Sequence, residues 1–91
     1  MFGLSAALTG RLTLKAGGIE QAGFADNMPI LLAGCPAMET HVLDSGEAIG
    51  GAGELSTPMV VPALINAIHD ATGHRFRALP VTASLLKGVL A

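Results

Sequence analysis

The sequence predicts an α+β fold, with an antiparallel hairpin-based sheet packed against one main helix. Three observations carry that expectation. Arg11-Leu12-Thr13-Leu14-Lys15 alternates polar and apolar, the period of a half-buried strand, and Gly17-Gly18 follows as a turn signal before Ile19–Phe24 returns. Thr57 to Gly73 carries helix start and stop signals around an apolar stripe at Val61, Leu64, Ile65 and Ile68. No linker, internal repeat or low-complexity segment divides the chain, so residues 1–91 read as one unit.

The remaining elements follow in order. Met1 to Leu8 is small and apolar and suits the last turns of a helix, with Gly10 near its end. Met1-Phe2-Gly3-Leu4 looks like an internal start, with the natural helix expected to begin upstream, and no basic residue precedes it as a secretory leader would need. Asp26 to Pro36, with Pro29, Gly34 and Pro36 among bulky apolar residues, reads as a buried loop whose backbone groups need partners. Glu39–Leu43 is expected to be a strand, and Asp44–Thr57 a glycine-rich loop. In the main helix Thr57 is the expected N-cap, Pro58 the first helical residue and Gly73 the C-terminal cap. Pro62 lies near enough to the first turn to be tolerated. Leu79-Pro80-Val81 is extended, and Ser84–Leu90 forms a last short helix.

Composition limits the function classes. Charged residues are 13% of the chain, against about 25% in an average soluble domain. Apolar residues are 51%, or about 64% with the 12 Gly included, against about 45–50% by the same count. A domain of 91 residues buries only roughly 60–65% of its unfolded surface, so some apolar surface is expected to face other polypeptide. The most apolar stretches, Asn27–Met38 and Leu55–Ile68, are short and broken by proline, which argues against a membrane span and for a soluble protein. Five Lys and Arg, with no Trp or Tyr, give no footprint for nucleic acid. Cys35 alone can make no internal disulfide and no cysteine-based metal or iron–sulfur site, and it reads as apolar packing.

Gly50-Gly51-Ala52-Gly53-Glu54-Leu55-Ser56-Thr57-Pro58 is the segment that could carry chemistry. Its glycines let a bulky ligand come close to the main chain. A carboxylate follows at once, and a helix N-terminus, which favours nearby negative charge, comes three residues later. Taken alone the pattern is weak, since most glycine-rich turns before helices hold no ligand. It also lacks the lysine of a phosphate loop and the context of a dinucleotide fingerprint. His41, His69 and His74 show no paired metal spacing. His74, Arg75 and Arg77 suit the negative end of the helix dipole, and an anion contact is the less favoured reading. Asp44 and Glu47 read as solvated turn residues.

Five segments in one order resemble the C-terminal part of the molybdopterin-binding large subunit of the xanthine dehydrogenase and aldehyde oxidase family. They are Gly3-Leu4-Ser5-Ala6-Ala7-Leu8, Phe24-Ala25-Asp26, Gly50-Gly51-Ala52-Gly53-Glu54, Pro62-Ala63-Leu64-Ile65-Asn66-Ala67-Ile68, and Ala71-Thr72-Gly73-His74-Arg75 running on through Arg77-Ala78-Leu79-Pro80. The isoquinoline 1-oxidoreductase and aldehyde dehydrogenase types are the most similar, and the resemblance covers nearly the whole chain. It implies a fragment of a molybdenum-cofactor-binding domain that takes part in oxidative hydroxylation of an aldehyde or N-heterocycle. By that match Glu54 is the general base, and Gly51, Ala52 and Gly53 approach the cofactor through their backbone. The pterin-binding loops would then lie upstream, and electrons would leave through an iron–sulfur subunit. The isolated chain is expected to be inactive, to hold no cofactor, and to self-associate through Met28–Pro36 or the exposed face of Pro58–Thr72. Departures from the family pattern are Leu55-Ser56 after the glutamate, Gly23 and Asn27 around Phe24-Ala25-Asp26, and Leu31-Leu32 where an arginine often stands. The reading from a different class is a non-catalytic interaction or assembly module without cofactor.

Overall fold

A computed structural model describes residues Met1–Ala91. The elements in order are α1 (Phe2–Leu8), β1 (Leu14–Lys15), β2 (Gly18–Ile19), a single 3-10 turn (Leu32–Gly34), α2 (Thr57–Thr72) and α3 (Ala83–Leu90). β1 and β2 form a two-stranded antiparallel ribbon with Leu14 opposite Ile19 and Lys15 opposite Gly18.

α1 packs on the start of α2, and the sequence permits this because α1 presents small residues four apart. Gly3 and Ala7 are both buried. A Cβ at Gly3 would stand 2.6 Å from the Thr57 carbonyl oxygen and 3.2 Å from Val60 Cβ, so only glycine allows the two backbones this close. Val81 completes the nucleus. It is fully buried, and its N–H donates to the Ala7 carbonyl at 2.9 Å, which ties the extended segment after α2 to the end of α1.

α2 runs unbroken through Pro62, and Gly73 closes it in the left-handed region at φ 74, its N–H donating to the His69 carbonyl at 2.7 Å. Thr72 reinforces that end, donating from its hydroxyl to the Ile68 carbonyl at 2.7 Å and accepting from the His74 N–H at 3.1 Å. The half-buried residues Thr57, Val60, Val61, Leu64, Ile65, Ile68, His69 and Thr72 recur at three and four, which is the expected stripe extended by a turn at each end. α3 has a conventional start, with Thr82 Oγ1 accepting from the Leu85 N–H at 3.4 Å.

Four local expectations are corrected. The N-cap of α2 is Ser56, one residue before Thr57, in a helical conformation and with no side-chain capping bond. The hairpin turn is centred on Ala16-Gly17, one residue before Gly17-Gly18. Both residues have positive φ, 48 and 82, as a two-residue turn that follows the twist of the strands requires. The ladder is two residues per strand, far shorter than Arg11–Lys15 and Ile19–Phe24, because beyond it only one backbone bond follows, from the Glu20 N–H to the Thr13 carbonyl at 3.0 Å, before side chains take over the pairing. Thr13 N–H donates to Gln21 Oε1 at 2.8 Å, Gln21 Nε2 to Thr13 Oγ1 at 2.9 Å, and Thr13 Oγ1 to Glu20 Oε2 at 2.6 Å. Glu39–Leu43 belongs to no sheet, since no second strand in the chain lies beside it. The main packing of α2 is against α1, and no comparable contact joins it to the ribbon.

Little of the chain is covered. Only Gly3, Ala7 and Val81 are buried, and 7492 Å² is exposed. A folded monomer of 9.2 kDa exposes about 4,900 Å². The radius of gyration is 16.3 Å, against about 12 Å for a compact domain of this length. The apolar excess seen in composition is thus present as open surface, with Phe2, Leu14, Phe24, Leu32, Val42 and Ile49 among the most exposed.

Candidate functional site

The glycine-rich loop leads straight into α2. The Glu54 carbonyl accepts from the Thr57 N–H at 3.1 Å, and Ser56 accepts from Met59 and Val60 at 3.1 and 3.3 Å. Those bonds hold the backbone of Glu54 one tight turn before the helix, where the N-terminal N–H groups of α2 favour a nearby anion. Its carboxylate is exposed and takes part in neither of the chain's ion pairs, Lys15–Glu20 at 3.8 Å and Glu39–His41 at 3.0 Å.

Gly51, Ala52 and Gly53 precede it on open, exposed backbone. A Cβ built at Gly51 or Gly53 would meet nothing within 4 Å. This stretch leaves room for a bulky group against the main chain. It supplies no side-chain ligand set, since no cluster of three His, Cys, Asp or Glu is placed to hold a metal ion.

The other residues singled out from the sequence do not converge on Glu54. His41 pairs with Glu39 on an exposed segment. His69 continues the half-buried face of α2. Arg75 folds back along α2, its Nη1 donating to Asn66 Oδ1 at 3.0 Å, which makes it a brace for the helix end. Asp44 and Glu47 lie in a solvated turn, where Asp44 Oδ1 accepts from the Gly46 N–H at 3.0 Å. Cys35 is half-buried, its Sγ 3.7 Å from Met1 Sδ, in a small apolar cleft of about 280 Å³ with Ile30 and Leu32.

A larger cleft, about 640 Å³, lies elsewhere, lined by Phe2, Thr9, Leu12, Gln21, Phe24 and Met28 among others. Glu54 and Gly51–Gly53 line neither cleft. This hollow was not anticipated. Its signal was the pairing of Gln21 with Thr13 and of the Ala22 N–H with Asp26 Oδ2 at 3.0 Å, which folds Phe24 and Met28 back toward α1.

No helix is long and apolar enough to cross a membrane. No protein-family model matches the chain, and no solved structure matches it. Two curated proteins do. The isoquinoline 1-oxidoreductase subunit beta of Brevundimonas diminuta is 29% identical over 83 residues, 91% of this chain and 11% of that protein. The membrane-bound aldehyde dehydrogenase [pyrroloquinoline-quinone] of Gluconacetobacter polyoxogenes is 42% identical over 62 residues, 67% of this chain and 8% of that protein. This chain therefore spans about a tenth of the length of the curated relatives it matches. Both names match the two types to which the five ordered segments pointed, and the chain is a sequence relative of the isoquinoline 1-oxidoreductase and aldehyde dehydrogenase type.

Proposed function

We propose that this chain supplies the general-base carboxylate, Glu54, to an oxidoreductase of the molybdenum hydroxylase type that oxidatively hydroxylates an aldehyde or N-heterocycle. The observation that carries the reading is the placement of Glu54. It follows an unobstructed Gly51-Ala52-Gly53 backbone, stands before the N-terminus of a 16-residue helix, and has no ion-pair partner within the chain.

In this role Glu54 accepts a proton at a carboxylate oxygen during oxygen transfer to the substrate carbon. The glycines keep the wall beside it free of side chains, and α2 fixes the height of the loop through the Thr57 to Glu54 bond. A molybdenum–pterin group would supply the redox chemistry when bound. The rest of the molybdenum subunit would hold that group, and an iron–sulfur subunit would carry electrons away, since Cys35 alone cannot ligate a cluster. Neither relative's name mentions molybdenum, and the second carries pyrroloquinoline quinone, so the identity of the redox group needs its own test.

The test is Glu54→Gln in the complete enzyme that carries this chain. Turnover is expected to fall by about 10²–10⁴-fold with cofactor content unchanged. A loss of less than about threefold would refute the base. Metal analysis of the same enzyme decides the group, and a bound quinone without molybdenum would overturn that half of the proposal. A non-catalytic assembly module is the second reading, favoured by the exposure of Glu54 and the near absence of a core. An upstream reading frame encoding pterin-binding loops would count against it.

A further inference from the structure

We draw no further inference here: the strongest candidate, the exposed extended segment 36–43 between the 3-10 turn and the glycine-rich loop, whose backbone groups bond to no other backbone of the chain, carries nothing because nothing in the structure shows what covers it.

Discussion

The contact of α1 with α2 and the span from Pro36 to Gly53 have opposite characters. In the first, Gly3, Ala7 and Val81 are buried, and the backbone of α1 lies against that of α2 with no room for a methyl group. In the second every residue is exposed, and glycine is present without any crowding, since a Cβ at Gly46, Gly50, Gly51 or Gly53 would meet nothing within 4 Å. The same residue type thus has two meanings in one chain. Gly3 is required by the fold, whereas Gly51 and Gly53 answer to nothing inside it.

The comparison can be broken most directly at Gly3. Gly3→Val should destabilise by about 2–3 kcal/mol, because the added atoms meet the Thr57 carbonyl oxygen, which is backbone and cannot swing aside. The check is the midpoint of thermal loss of helical circular dichroism. The same change at Gly51, in the isolated chain, should leave that midpoint where it is. Val81→Ala comes next. It removes two buried methyl groups' worth of contact at about 0.8 kcal/mol each, for a loss of about 1.5 kcal/mol by denaturant titration. An unchanged midpoint there would mean that the tail does not stabilise α1. The smallest effect is a gain. Ala16 sits at φ 48, a region that costs a side chain about 1–2 kcal/mol, so Ala16→Gly should raise stability by up to about 1 kcal/mol after the entropy of glycine is counted. Unaltered amide exchange in the ribbon would contradict that account.

What could be read in the sequence was what short-range chemistry decides. Pro58 and Gly73 bracket α2 because one lacks an N–H that the first turn does not need and the other tolerates a left-handed φ. α3, expected over Ser84–Leu90, starts one residue earlier at Ala83. The turn at Ala16-Gly17 was misread by a residue because alanine gives no sign that it will adopt a positive φ. Glu39–Leu43 shows the deeper limit. It was expected to be a strand, but a strand is a relation between two segments, and no second segment of the chain pairs with it. The candidate site divides the same way. That Glu54 precedes a helix was legible locally. That neither cleft includes it was not, because a cleft is made by residues far apart in sequence.

The bond from Val81 to Ala7 and the seat of Val60 against Gly3 have one further consequence. They join α1 to the C-terminal third of the polypeptide across an intervening stretch, Pro36–Gly53, that holds no backbone hydrogen bonds of its own. A protease cutting near His41 or Glu47 would meet extended main chain and no folded obstacle. The two products would each keep one side of the helical contact. The nicked protein should therefore migrate as two bands under denaturing conditions and as one species under native ones, a chain whose covalent continuity and folded continuity run along different paths.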